Sequence, residues 1–245
     1  LETVREQLTS NLTAVTAKKR EVETEYGGLK VKKMISEEQK DARQDLLKTT
    51  KNQEKTYQEQ LKELEKKQKE IGDAIDEIEA QLRKSFDPNL LPAKRPGVFI
   101  KPIAGAPLTQ GYGATSFAQK AYKTGFHNGA DYGAPIGTPV VAARDGKVIG
   151  VGNNGKYQYG KYIAIEHDIK LTTLYAHLSK QLVAPGETVT AGQLIGYSGN
   201  TGYSFGPHVH LTVYWSDSVI FKSFSTCPNC GLIPVGLTIN PLDYI

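Results

Sequence analysis

Residues Gly206–Trp215 read GPHVHLTVYW. Beyond the proline this is a run of β-formers. In a strand, residues i and i+2 point to the same face. His208 and His210 therefore share one surface. The whole chain of 245 residues holds only five histidines. Two of them on one face of one strand raise the question of what that face holds.

Working outward, the same β signal recurs. TPVVAARDGKVIGVG (138–152), GKYIAIEHD (160–168), KLTTLYAHLS (170–179) and GQLIGYSG (192–199) are short apolar or alternating runs. Gly, Pro, Asn and Asp punctuate them about every ten residues, and no useful helical period appears. Residues 98–245 are expected to form one all-β domain, a mostly antiparallel sheet or barrel.

Upstream the composition changes. Residues 1–86 are dense in charge, contain no proline, and have glycine only at 27, 28 and 72, while all 12 prolines lie beyond. Leu61, Leu64, Ile71, Ile75, Ile78 and Leu82 follow steps of three and four, with Gln68 at the one missing position. That is a heptad seam. Leu1, Val4, Leu8, Leu12 and Val15 carry a similar rhythm, and Gly27-Gly28 reads as a helix stop. The expectation is an antiparallel coiled-coil hairpin over 1–86, acting as a spacer, a dock for a partner, or a restraint. Residues 87–97, with Pro88, Pro92 and Pro96, read as a stiff linker. The fold class is thus α+β and multidomain.

The formal net charge of +4 is mild, and no Lys/Arg block of the kind that tracks phosphates is present, which argues against nucleic acid. No apolar run approaches the roughly 20 residues needed to span a bilayer. The chain starts at Leu1 in mid-pattern, so a mature form or fragment is expected, with any export signal outside it. The two cysteines form CPNC (227–230) in a loop-like setting. Half a zinc site would lack a second CxxC, and a redox motif would open a helix. A local disulfide, suited to an extracytoplasmic compartment, or a reduced pair is expected.

FHNGADYG (126–133) supplies His127 and Asp131. Imidazole and carboxylate are ordinary zinc ligands, and a catalytic zinc site uses three protein ligands plus water. The HxH pair can supply the third. One of His208 and His210 would then remain, with His177, for acid–base work. His167 in IEHD reads as a hydrogen-bonded surface or sheet residue rather than a ligand. The DGKV and VAPGETVTAGQLIG segments echo biotinyl and lipoyl carriers, but Lys147 lacks the flanking residues those carriers use.

Taken together, GFHNGADYGAPIGTPVVAARDGKVIGVG, GKYIAIEHD, TLYAHLS and VTAGQLIGYSGNTGYSFGPHVHLTVY resemble the lysostaphin-type, or LytM-type, zinc metallopeptidases over about residues 98–215. The resemblance implies one Zn2+ per chain, held by His127, Asp131 and His210, with His177 and His208 as catalytic histidines. It implies a peptidoglycan endopeptidase acting on stem-peptide cross-links outside the cytoplasm, in the periplasm or cell envelope. The D-Ala–meso-diaminopimelate cross-link is favoured over a glycine bridge. Some coiled-coil members of the family are non-catalytic and activate amidases during division, which makes an envelope or division protein an expected partner. This chain keeps all five site positions, which argues for catalysis.

Overall fold

A computed structural model describes residues 2–245. It divides into two compact units, Leu1–Lys62 and Glu63–Ile245. A single helix, α1 (Glu2–Ser85), contributes to both.

The expected hairpin is not formed. Helix α1 continues through positions 27 and 28. Two glycines cost a helix about 1 kcal/mol each, and without proline nothing blocks the backbone ladder. A turn there would have to be stabilised by burying the seam of the first arm. Val4, Leu8, Leu12 and Val15 are instead exposed, so no second helix covers them. Leu1 lies outside the described residues.

The second seam is buried, but against a different partner. Ile71 and Ile75 are buried with Tyr159, Tyr162, Tyr214, Phe224 and Val235 of the β region, and Ala74 and Ile78 pack alongside. Gln68, the polar gap in the seam, donates from Nε2 to the carbonyl of Lys156 at 2.6 Å. Heptad spacing identifies a face that must be covered, not what covers it. This burial places the boundary between the units at 62/63 rather than at 86. The linker is also strapped down: Tyr244 donates its hydroxyl to the Pro92 carbonyl at 2.7 Å, and Lys94 lies 3.1 Å from Asp243.

In chain order the strands are β1 (Leu108–Gln110), β2 (Ala130–Gly133), β3 (Pro139–Val141), β4 (Gly146–Asn153), β5 (Lys161–Glu166) and β6 (Leu171–Ala176). There follow β7 (Lys180–Gln181), β8 (Thr188–Val189), β9 (Leu194–Tyr197), β10 (His208–Trp215), β11 (Ile220–Lys222), β12 (Ile233–Val235) and β13 (Thr238–Ile239). The main sheet runs β1-β2-β10-β6-β5-β4-β8, with β13 also on β10. Its pairings are antiparallel. It is an open sheet, not a closed barrel.

Both faces of the sheet's centre are covered. Val209, Leu211 and Val213 of β10 join Ile163, Ile165, Leu171 and Tyr175 in the larger core. The alternate residues His208, His210, Thr212 and Tyr214 turn to the opposite face. At the Tyr214 end, that face meets α1. At the His208 end, it carries the candidate site.

Candidate active site

Strand register assembles the site. His210 of β10 stands opposite Asp131 of β2, and His208 opposite Gly133. On its other edge, β10 places His210 opposite Ala176 of β6, so His177 follows at once. His127 precedes β2 and is pinned to Gly113 by two backbone hydrogen bonds of 2.8 and 2.9 Å.

Nε2 of His127 lies 3.1 Å from Nδ1 of His210 and 3.4 Å from Oδ1 of Asp131. The same carboxylate oxygen lies 2.8 Å from Nδ1 of His210. All three residues are buried and could hold a metal ion. Tetrahedral zinc with bonds of 2.0–2.2 Å sets ligand atoms about 3.3 Å apart, close to these separations.

The hydrogen bonding behind the cluster supports that fit. Nδ1 of His127 is 2.8 Å from the carbonyl of Gly111. A carbonyl only accepts, so Nδ1 carries the hydrogen and Nε2 offers a lone pair. Nε2 of His210 is 2.8 Å from the Thr212 hydroxyl. With its hydrogen donated there, Nδ1 offers a second lone pair. Two lone pairs and a carboxylate oxygen then converge in a buried space, a donor set suited to a cation.

Electrostatics agree. Burial opposes charge on Asp131, yet the neighbouring His127 and His210 outweigh it and hold the carboxyl well below the usual range. Burial pushes the His210 imidazole down, against the pull of Asp131. Ionised carboxylate and neutral imidazole are the ligand forms.

His177 and His208 form a second pair beside the first, with ring centroids 4.6 Å apart. His177 donates from Nδ1 to the Thr201 carbonyl at 2.8 Å. His208 donates from Nδ1 to the Gly206 carbonyl, also at 2.8 Å. Both are thereby left with a free Nε2, and that of His208 is 3.7 Å from Asp131 Oδ1. Burial, with the nearby His208 and His210, lowers the His177 pKa to about 3, so its ring is neutral at physiological pH. Its backbone is left-handed, with φ of 60°. That conformation costs a non-glycine residue roughly 1 kcal/mol or more. The His177 N–H bond to the Tyr159 carbonyl, 2.9 Å, helps to hold it.

The four histidines and Asp131 line one cleft of about 610 Å³, whose rim carries Phe117, Tyr203 and Phe205. Phe117 and Phe205 meet edge-on at 5.7 Å. None of residues 63–85 lines this cleft.

All five site positions named from the sequence thus come together. His167 does not join them. Its Nδ1 meets the Asp145 carbonyl and its Nε2 the Thr173 hydroxyl, each at 2.8 Å, as expected of a sheet histidine. Cys227 and Cys230 are joined in a disulfide. Sequence reasoning missed the supports. Tyr122 stacks on His127, with ring centroids 6.1 Å apart. Tyr159 lies against His210 at 5.9 Å. Gly129 is needed because a Cβ there would sit 2.6 Å from Cε1 of His210. The Asn-Gly dipeptide directly after His127 was the available signal for a tight backbone approach.

Residues 125–221 match Peptidase family M23. The chain carries an M23 peptidase domain. Over 108 residues it is 50% identical to the peptidoglycan DD-endopeptidase ShyA of Vibrio cholerae, covering 44% of this chain and 25% of that protein. Over 84 residues it is 48% identical to the DD-carboxypeptidase/endopeptidase Mpg of Neisseria meningitidis, covering 34% of this chain and 19% of that protein. The matched stretch thus spans a quarter or less of these relatives' own lengths. The catalytic domain of lysostaphin from Staphylococcus simulans is 34% identical, with 56% of this chain and 90% of that chain covered and a TM-score of 0.44. The M23 match takes in all five site positions, from His127 to His210. Helix α1 and the Cys227–Cys230 disulfide fall outside it.

Proposed function

We propose that this chain is a zinc-dependent peptidoglycan endopeptidase that hydrolyses peptide cross-links between stem peptides, outside the cytoplasm. The observation that carries the reading is the convergence of His127 Nε2, His210 Nδ1 and Asp131 Oδ1 beside the His177–His208 pair at the floor of one open cleft. The names of the relatives support a bond between two D-residues, such as D-Ala–meso-diaminopimelate.

In this reading His127, Asp131 and His210 hold one zinc ion. When bound, zinc would supply Lewis acidity and make its water acidic enough to provide hydroxide near neutral pH. His208, fixed by its Nδ1–H on Gly206, presents Nε2 to the reacting water and the scissile amide. It can take a proton and return it to the leaving amine. His177 enters neutral, with Nε2 able to accept a hydrogen bond and orient the attacking water. An extended peptide lies in the cleft, between the aromatic rim and the glycines of the walls.

The cleft is free of residues 63–85, which pack behind the site instead. This supports a helix that positions the catalytic unit rather than blocks it.

The test is digestion of purified sacculi by the zinc-loaded chain, with fragments identified by mass. Release of monomeric stem peptides from cross-linked dimers, abolished in His208→Ala, is expected. Intact cross-links after exhaustive incubation would overturn the assignment.

A further inference from the structure

Helix α1 places one carboxylate where carboxylates are seldom found. Glu79 is 1% exposed. Nδ2 of Asn128 lies 3.2 Å from each of its carboxylate oxygens. Asn128 directly follows His127 in the chain. The same Nδ2 is 2.9 Å from the Tyr159 hydroxyl, which is 2.8 Å from the Tyr214 hydroxyl. Tyr214 and Thr212 are neighbours on the same face of β10. Thr212 closes the path, 2.8 Å from Nε2 of His210.

A row of polar groups therefore runs from the helix to the rear of a proposed metal ligand, hydrogen-bonded from Glu79 through Asn128 and Tyr159 to Tyr214 and again from Thr212 to His210. The nitrogen it reaches is the one facing away from Asp131. Groups bonded to that distal nitrogen fix the tautomer and ring orientation of a ligating histidine. The helix touches the segment before β2 a second time. Arg83 lies 4.2 Å above the ring of Phe126, which directly precedes His127. It also sits 3.8 Å from Glu79 and donates to Thr238 at 3.1 Å.

We propose that Glu79 is a positioning residue for the metal centre. From α1 it holds Asn128, next to His127, in place, and through Asn128 it anchors Tyr159, whose ring lies against His210 and whose hydroxyl heads the polar row behind it. A helix outside the M23 match thus completes the outer support of the M23 site. The carboxyl group is suited to this because its oxygens give the Asn128 amide an acceptor in a buried place. Without Glu79, both Asn128 and the tyrosine pair lose the terminus that fixes their hydroxyl and amide directions. The inference rests on the proposed metal site, but its readout does not require hydrolysis.

The experiment measures Zn2+ affinity of the full chain by competition with a chelator, and the visible absorption of the Co2+-substituted protein. Glu79→Ala is expected to weaken Zn2+ binding about tenfold, the lower end of the effect of outer-shell partners, and to change the Co2+ spectrum. Tyr159→Phe, which keeps the ring on His210 and removes only the hydroxyl, should do the same. Combining the two should cost little more than either alone, because both cut one chain. Glu79→Gln retains an acceptor for Asn128 and should restore affinity. Ile75→Ala loosens the same helix without removing any polar group, and should lower the melting temperature while leaving affinity and spectrum unchanged.

Wild-type affinity in both Glu79→Ala and Tyr159→Phe would overturn the proposal while leaving the metal site standing. Equal losses in Ile75→Ala and Glu79→Ala would also overturn it, since general loosening would then explain both. A wild-type chain that binds no metal would bring down the site and the proposal together.

Discussion

Gly129 and His210 are in closest possible contact: a Cβ on residue 129 would lie 2.6 Å from Cε1 of the imidazole and 2.7 Å from its Nε2. The β10–β2 register brings the two strands together at this point, and the ring fills the space that a side chain would take. Gly129→Ala must displace the ring or the strand. Loss of most metal binding is expected, measured by zinc content after dialysis, with far-UV circular dichroism nearly unchanged.

Asp131→Ala removes the only carboxylate of the cluster. It also leaves His127 and His210 facing each other with nothing negative between them. Zinc content is expected to fall well below one per chain by elemental analysis. Retention of one zinc would show that the ligand set has been misassigned.

His177→Ala and His208→Ala should behave differently from Asp131→Ala. Both are expected to keep zinc and to lose hydrolysis by about 10²–10⁴-fold, the range for a positioned proton donor or acceptor. Parallel measurement of metal content and cross-link cleavage checks this. Zinc loss in either variant equal to that in His210→Ala would merge the two histidine pairs into one function.

Stability should depend on pH through Glu79. Burial, partly offset by Asn128 and Arg83 and reinforced by Asp76, raises its carboxyl from 4.5 to about 8. Between those values the folded state binds more protons than the unfolded chain, so stability falls as pH rises through this window. Below pH 4.5 the contribution is fully favourable. Glu79→Gln has no such proton to lose. Its stability relative to wild type, from urea unfolding, is expected to increase steadily from pH 5 to pH 8.

Ile75 is buried among tyrosines and Phe224. Ile75→Ala is expected to cost about 2–5 kcal/mol by the cavity it leaves. Val15→Ala, on the exposed stretch of the same helix, should change unfolding free energy by less than about 0.5 kcal/mol.

The chemistry of the site was more legible than its support. His127, Asp131, His177, His208 and His210 could be named because histidine is rare here, five in the whole chain, and because the motifs around these residues resemble those of a known family. Alternation in HVHLTVYW gave the sheet its faces. Helix spacing at Ile71, Ile75 and Ile78 correctly marked a buried stripe. The stripe looks the same whether a helix or a row of tyrosines covers it, so the hairpin was inferred where a helix-on-sheet contact exists. Glycine 27 and 28 were weighed as a stop, yet two weak helix formers in 84 residues do not end a helix. Tyr159 and Glu79 were invisible for a different reason. Their roles depend on contacts across 31 to 55 positions of chain, and neither residue type is unusual where it stands.

Residue 159 has a dual attachment. Its backbone carbonyl fixes the strained His177, while its ring and hydroxyl serve His210 and the chain behind it. In the proposed function one side of the site moves protons and the other holds metal, yet both hang on a single position. Adjusting either half through this residue disturbs the other. Selection for new substrates, in nature or in the laboratory, has freer ground at the rim, where Phe205 and Phe117 stand in solvent and carry no such double duty.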